Sequence, residues 1–311
     1  MTHTPIIFID GEAGTTGLGI RKRLASLPIV LHTIDPKHRK DPIARKEAMA
    51  QADLVVLCLP DDASREAEVM ASSLGENAPR LLDASTAFRT ASDWIYGFPE
   101  LAPHQAQTIA SAPRVSNPGC YPTGAIGLLR PLIEANLLPR DYPLCINAVS
   151  GYSGGGRSMI EAHEHEGGPA FILYGLNLEH KHIPEICQHT GLTRRPIFVP
   201  SVGHFAQGMI VSIPLHLDEL NSSPTAEDLY NVLNNHYTRQ DKGKNDAQSY
   251  VRVLPPENTL SAEALAGCDT MELRVHSTPH HKHVLLTARL DNLGKGASGA
   301  AIQNIRIMLS L

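Results

Sequence analysis

The sequence predicts a two-part α/β protein, a nucleotide-binding half built on a parallel sheet followed by an α+β half, and three observations carry that reading. The first 120 residues alternate short aliphatic runs with helix-period segments, the pattern of βαβ units. A glycine-rich segment, Gly11-Glu12-Ala13-Gly14-Thr15-Thr16-Gly17, separates the first apolar run from the first helix-period segment. From residue 143 onward strand-like runs outnumber helical ones, as in a mixed or antiparallel sheet.

In the first half, strands are expected near 5–10, 29–35, 53–59, 80–85 and 107–111. Ile20, Leu24 and Leu27 give a helix over 17–27 its apolar face, and Ala63, Ala67, Met70 and Leu74 do the same for 62–74. A further helix runs from Pro122, a residue suited to a first turn, to about 136, with Ile126, Leu129, Leu132 and Ile133 on one face. The second half offers strands at 143–150, 196–202, 208–217, 249–254, 270–277 and 283–291, with helices at 183–190 and 224–237. The last segment, Lys295 to Leu311, returns to helix period through Ala301, Ile305 and Met308 and is expected to pack back on the first half. The expected division is 1–118 with 295–311 against 119–294.

Composition removes several function classes. With 311 residues, 42% of them hydrophobic and 19% charged, the chain has material for about two packed domains and is no disordered tail. Lys and Arg number 27 against 32 Asp and Glu, a net charge of −5, and no basic stripe interleaves with aromatics, which argues against nucleic acid as a partner. The longest apolar runs, such as residues 54–59, fall far short of the roughly 20 residues that span a bilayer. The amino terminus lacks a charged n-region and a cleavage site and reads as cytoplasmic. Five cysteines without a Cys-x-x-Cys pair give neither a disulfide framework nor a structural zinc site. The clusters His163-Glu164-His165-Glu166 and His276, His280, His281 and His283 offer no four-ligand set, so they are read as solvated surface and no metal is expected.

Several residues stand out as carriers of chemistry. The glycines at 11, 14 and 17 follow a strand and open a helix, where backbone amides can approach a pyrophosphate; the same glycines would also serve a simple tight turn. Asp35, 24 residues past Gly11, is placed to meet ribose hydroxyls, while Lys37, His38, Arg39 and Lys40 behind it would suit a 2′-phosphate and favour NADP over NAD. Gly294-Lys295-Gly296-Ala297-Ser298-Gly299 is a second glycine-rich helix start. Cys120 lies between Pro118-Gly119 and Pro122, at a helix N-terminus whose amides and dipole favour thiolate over thiol. The other cysteines, 58, 145, 187 and 268, read as structural. A thiolate used in acyl chemistry wants a proton shuttle, and His180-Lys181-His182-Ile183-Pro184-Glu185 puts two imidazoles and a carboxylate before a helix; His204, at a turn between strands, is a further candidate.

These stretches resemble N-acetyl-γ-glutamyl-phosphate reductase in its shorter form, over nearly the whole chain. The resemblance rests on Gly11 to Gly17, the segment 82–89, Tyr96-Gly97-Phe98-Pro99-Glu100-Leu101, Ser116-Asn117-Pro118-Gly119-Cys120-Tyr121-Pro122-Thr123, Ser150 to Arg157, His180 to Glu185 and Lys295 to Gly299. It implies a Rossmann-type domain joined to an α+β catalytic domain of the aspartate-semialdehyde dehydrogenase and glyceraldehyde-3-phosphate dehydrogenase type. It implies NADPH-dependent reduction of an acyl phosphate to a semialdehyde with release of phosphate, in arginine biosynthesis, by a homo-oligomer (dimer or tetramer). By motif position Cys120 would be the nucleophile and His180 the acid/base. Asn117, Ser153, His182, Glu185 and His204 would lie toward the substrate. Thr15, Thr16, Ser85, Gly151, Gly154, Lys295, Gly296, Ala297, Ser298 and Asn304 would lie toward the cofactor. Longer members carry an arginine in a Pro-His-Leu-x-Pro-Met-x-Arg-Gly stretch; this chain has Gln207 there, leaving Arg89, Arg114 and Arg157 to replace the cation.

Overall fold

A computed structural model describes residues 3–240, 250–279 and 282–311, so His280, His281 and residue 249 of the strand expected at 249–254 lie outside the described residues. The chain divides into two compact units, Met1–Pro118 with Ala297–Leu311, and Gly119–Gly296.

In the first unit β1 (Ile6–Asp10), β2 (Val30–His32), β3 (Leu54–Leu57), β4 (Arg80–Asp83), β5 (Ile95–Tyr96) and β6 (Arg114–Ser116) form a parallel sheet in the order β2-β1-β3-β4-β6-β5. Side chains alternate across a strand, so Ile7 and Ile9 join Val56, Leu82 and Val115 on one face, while Phe8 joins Val55, Leu57 and Leu81 on the other. Helices α1 (Thr15–Leu24), α4 (Gln105–Ser111) and α9 (Gly299–Leu309) bring Ile20, Leu24, Ile109, Ala301 and Ile305 to the first face. Helices α2 (Pro42–Ala50) and α3 (Asp61–Ser72) bring Met49, Ala67 and Ala71 to the second. Cover on both faces is why β3 reads as an unbroken apolar run. Arg80 ties β4 to two helix ends: its guanidinium donates to the carbonyls of Ala110 (2.9 Å), Ala112 (2.7 Å) and Met308, where helix dipoles are negative.

The expected strand at 107–111 is instead part of α4. Only Ile109 of that helix is buried, Gln105, Ala106 and Gln107 are good helix formers, and Pro113 stops the helix ahead of β6. The strand expected at 29–35 ends at His32, leaving Asp35 in the following loop, where its carboxylate accepts the Lys37 amide at 2.9 Å. Helix α2 escaped the sequence reading although its start is orthodox, with Pro42 in the first turn and Asp41 accepting the Ile43 amide at 3.0 Å.

In the second unit β7 (Cys145–Gly151), β8 (Phe171–Leu173), β9 (Ile197–Gly203), β10 (Met209–His216), β11 (Val251–Val253), β12 (Met271–Ser277) and β13 (His283–Leu290) form a mixed sheet ordered β11-β12-β13-β10-β7-β9-β8. The β7–β9 and β11–β12 pairs are parallel and the others antiparallel. Its helices are α5 (Cys120–Glu134), α6 (Arg157–His165), α7 (Ile183–Thr190) and α8 (Ala226–Gln240). Twelve of the fifteen residues of α5 are buried, as befits a helix enclosed by β10, β12 and β13 on one side and α7 and α8 on others. Pro131 within it has no N–H for the carbonyl of Gly127, four residues back; the Tyr237 hydroxyl donates to that oxygen at 2.7 Å instead. No helix among the described residues is long and apolar enough to cross a membrane.

Gly11 has φ +87°, and a Cβ there would lie 2.4 Å from the Cys58 carbonyl oxygen, so β1 and β3 close on each other only over a glycine. Gly75 has φ +62° with open space around it. Gly11→Ala is therefore expected to lower the thermal unfolding midpoint well beyond Gly75→Ala, which carries only the left-handed backbone cost of about 1–2 kcal/mol. Equal shifts would show that the turn after β1 relaxes freely.

Candidate active site

The first unit holds a cavity of about 520 Å³ at the end of β1, lined in part by Gly11, Glu12, Gly14, Ile34, Arg39, Lys40 and Arg45. Gly14 is the N-cap of α1 and no side chain caps that helix, so its first-turn amides, beginning at Thr15 and Thr16, are turned toward whatever sits before it. Gly17 packs on this turn, since a Cβ there would be 2.8 Å from the Gly11 carbonyl oxygen. Arg45 reaches the end of β1 and donates to Asp10 Oδ2 at 2.7 and 3.1 Å. Burial raises the Asp10 carboxyl above the usual range, and the guanidinium opposes that rise. A glycine-lined, uncapped helix start beside three cations fits the phosphates of a dinucleotide. Arg39 belongs to this lining, Lys37 and Asp35 do not, and Arg45 was missed because its pairing with Asp10 spans 35 residues of sequence.

Other residues expected near cofactor or substrate are committed elsewhere in the same unit. Ser85 donates to Asp83 at 2.7 Å and accepts the Ala87 amide. Asn304 donates to Gly97 O (2.8 Å) and to Asn117 Oδ1 (3.1 Å), and Asn117 donates to Ala297 O (3.0 Å). Ser298 abuts α1, 3.0 Å from where a Cβ on Gly19 would be. Arg89 is buried and donates to the carbonyls of Asn117 (2.9 Å) and Ala84 (3.3 Å), bracing the backbone that leads to Cys120. Arg114 is paired with Glu68 of α3 at 2.6 Å, so an anion would have to compete with that carboxylate for it.

The second unit assembles the thiol site. Cys120 is the first residue of α5, half-buried, and the N-cap Gly119 brings no side chain to the helix end. A Cβ at Gly296 would lie 2.9 Å from Cys120 Cβ, so Gly296, expected on the cofactor side, is the floor beneath the thiol. Lys295, also expected there, is buried in this unit with Nζ 5.2 Å from the Tyr250 ring. Glu185, expected toward substrate, is instead 1% exposed and accepts the Gly119 amide at 2.8 Å.

His180 is boxed by rings: His182 at 4.7 Å, Phe198 at 5.1 Å, Tyr174 at 5.6 Å and Tyr121 at 6.2 Å between centroids. Burial, with Lys181 adding to it, pushes the imidazole down to about 4. Its Nδ1 accepts the His182 amide at 3.1 Å, which leaves the ring proton of the neutral form on Nε2. Tyr174 donates to the Tyr121 hydroxyl at 3.3 Å, and Tyr121 donates to Ser201 O at 2.9 Å. Burial, with Cys120 adding to it, pushes the Tyr174 hydroxyl up to about 12. Tyr121 lay inside a quoted motif, but Tyr174 and Phe198 gave no signal in the sequence.

His204 is exposed and its Nδ1 is 2.8 Å from Nδ1 of His163, which is buried and stacked on Tyr152 at 4.7 Å. His163 is thus packed structure and not the solvated surface expected of its cluster. Gln207 donates to Asp291 at 3.2 Å and Ser153 accepts from Asn292 at 2.9 Å, so the turn before β10 and the turn after β7 are both tied to the segment after β13. Gly151 ends β7, Gly154 lies in the turn behind it, and Arg157 is exposed and paired with Glu161 at 2.9 Å. Burial, with Asp83 and Asp10 adding, holds the Cys58 thiol protonated.

Comparison with known proteins bears on this geometry. Residues 120–292 match the dimerisation domain of semialdehyde dehydrogenases and residues 22–109 their NAD-binding domain. The chain is 51% identical to N-acetyl-γ-glutamyl-phosphate reductase 2 of Pseudomonas putida over 99% of this chain and 97% of that one. It is 51% identical to the N-acetyl-γ-glutamyl-phosphate reductase of Brucella ovis over 98% and 99%. Among solved structures, aspartate semialdehyde dehydrogenase II of Vibrio cholerae shares the fold with a TM-score of 0.72 at 15% identity, covering 99% of each chain. The Candida albicans enzyme, solved with NADP, does so with a TM-score of 0.68 at 14% identity and 99% coverage of each chain. An uncapped glycine-rich helix start, a thiol at a second helix start and these full-length likenesses agree: the chain is an oxidoreductase of the semialdehyde dehydrogenase family and belongs to its N-acetyl-γ-glutamyl-phosphate reductase branch.

Proposed function

We propose that the protein is a cytoplasmic, homo-oligomeric N-acetyl-γ-glutamyl-phosphate reductase of arginine biosynthesis that uses NADP(H) and a thioester on Cys120. The observation that carries the reading is Cys120 at the start of α5 in the same unit as the ring-enclosed His180. Two relatives of that name, each 51% identical over nearly the whole chain, support the choice of substrate.

The thiolate attacks the acyl carbon, inorganic phosphate leaves, and the acyl group remains on Sγ. First-turn amides of α5 face the charge that develops on the acyl oxygen, a role worth about 3–4 kcal/mol per donor in other enzymes. NADPH, when bound, supplies the hydride for the acyl carbon. His180 shares its Nε2 proton through a hydrogen bond with the oxygen that becomes negative on hydride addition, and keeps it as that oxyanion collapses and the carbon–sulfur bond breaks, releasing the semialdehyde and the thiolate. The cofactor phosphates fall to Gly11, Gly14 and the start of α1, and a 2′-phosphate to Arg39 and Lys40, with Arg45 held behind them by Asp10. His204, with one nitrogen bound to His163, keeps the other for the substrate.

Purified protein given N-acetylglutamate semialdehyde, phosphate and NADP is expected to raise absorbance at 340 nm, while aspartate semialdehyde gives no such rise. Cys120→Ser should abolish the reaction. Turnover of thioesters without cofactor would assign a hydrolase instead, and NADPH binding with no reaction a regulator.

His180 should titrate near pH 4 by ring NMR, so it stays neutral from about pH 5 upward. Because its folded pKa lies below the usual 6.5, the unfolded chain takes up the proton first, and stability falls as pH drops from 6.5 toward 4. His180→Asn should flatten that part of the stability curve and cut turnover roughly 10²-fold. A near-normal rate would move the acid/base role to His204 or His182.

Replacing Arg39 and Lys40 together by Ala should raise KM for NADP about tenfold, the usual weight of a charge-assisted phosphate contact, and leave KM for NAD unchanged. Equal changes for both cofactors would place the 2′-phosphate elsewhere.

A further inference from the structure

Glu185 joins two helix starts. It lies in the first turn of α7, on the third residue, and its carboxylate accepts the amide of Gly119, the N-cap of α5, at 2.8 Å while being 1% exposed. The Gly119 carbonyl is held from the other side by the Thr123 amide at 2.9 Å and the Thr123 hydroxyl at 2.8 Å. Both polar groups of the residue before Cys120 are thus fixed, one by a buried carboxylate. Covalent geometry then puts that carboxylate within roughly 10 Å of Sγ. A negative charge so close opposes the helix end: the start of α5 favours thiolate, and Glu185 disfavours it.

We propose that Glu185 is a positioning residue for the nucleophile, clamping the start of α5 through Gly119 and holding the Cys120 thiol less acidic than the helix end alone would make it. The gain is chemical. A thiolate loses nucleophilicity as its pKa falls, and attack is fastest when the thiol pKa is near the working pH. A helix start without a counter-charge would give abundant but sluggish thiolate, and the carboxylate restores the balance. The other titratable groups around the thiol are Tyr121 on α5, Tyr174 after β8, His180 and His182 before α7, and Asp291 and Lys295 on the segment of Gly296. None of them changes between the variants below. The inference rests on Cys120 as the reacting thiol but not on the identity of the substrate.

The test is the pH dependence of Cys120 alkylation by iodoacetamide in the intact protein, with labelling at Cys120 read by mass spectrometry against a Cys120→Ser control. It is paired with hydrogen exchange at the Gly119 amide. Glu185→Gln keeps an acceptor oxygen and removes the charge. It should lower the alkylation midpoint by about one pH unit, the size of a single charge at this range, with Gly119 still protected. Glu185→Ala should also expose the Gly119 amide to exchange and reduce turnover by a further tenfold or so relative to Glu185→Gln. An unmoved midpoint in Glu185→Gln overturns the proposal, as does an equally protected Gly119 in Glu185→Ala; if the Ala variant fails to fold, the Gln variant alone decides. Should the midpoint move as expected while no form of the enzyme reduces the acyl phosphate, the substrate assignment fails and the role of Glu185 stands.

Discussion

Helix α5 is buried on nearly every side and still presents a half-buried thiol at one end, and much of the second unit is arranged around that demand. Its sequence removes the difficulties one at a time. Small residues at Gly124 and Gly127 let it lie close to Val211 and Met271, and Tyr237 supplies the donor that Pro131 lacks. Pro122 sits in the first turn, where the missing N–H costs nothing. A fully enclosed helix is poor at moving, so the thiol at its start is held by the whole core and not by a loop. That rigidity suits a nucleophile whose target must be met within a few tenths of an ångström.

The same demand explains the surroundings of His180. Four rings enclose the imidazole and keep it neutral, and a backbone amide fixes which nitrogen carries the proton. A neutral imidazole cannot act as the positive partner of a thiolate. In the proposed reaction, ionisation of Cys120 would therefore depend on the dipole of α5 and on nearby charge, which leaves His180 for the substrate oxygen. Separating the two tasks spares the imidazole from carrying a charge that its burial disfavours.

Much of the fold was legible because strands covered on both faces are apolar runs and glycine turns are local events. The positions of the thiol and of the glycine-rich start of α1, each at a helix N-terminus, were legible for the same reason: adjacent residues set them. What the sequence hid was pairing at a distance. Segment 107–111 has an apolar residue at its centre and looks like a strand until the true neighbour of β4, Arg114–Ser116, takes its place in the sheet. Arg114 looked available for an anion until Glu68 proved to hold it, and Glu185 looked like a substrate ligand until Gly119 occupied it. His163 looked solvated because its neighbours are charged, yet Tyr152 and His204 enclose it. In each case the residue type was informative and its partner, tens of residues away, decided the role.

The charges at the end of β1 follow one more constraint. An arginine lining a phosphate cavity is most useful if it is already held in place, since ordering a long side chain on binding costs about 2 kcal/mol of rotamer freedom. Asp10 holds Arg45 through two hydrogen bonds to one oxygen, at the expense of a carboxylate that burial disfavours. An anion entering the cavity would meet a pair close to neutral overall, so Arg45 contributes orientation more than net attraction. Arg39 and Lys40, which are exposed in the same lining, would supply the attraction. The cavity thus combines a guanidinium fixed by Asp10 with two exposed cations, an arrangement in which a phosphate would be drawn in by the second and aligned by the first.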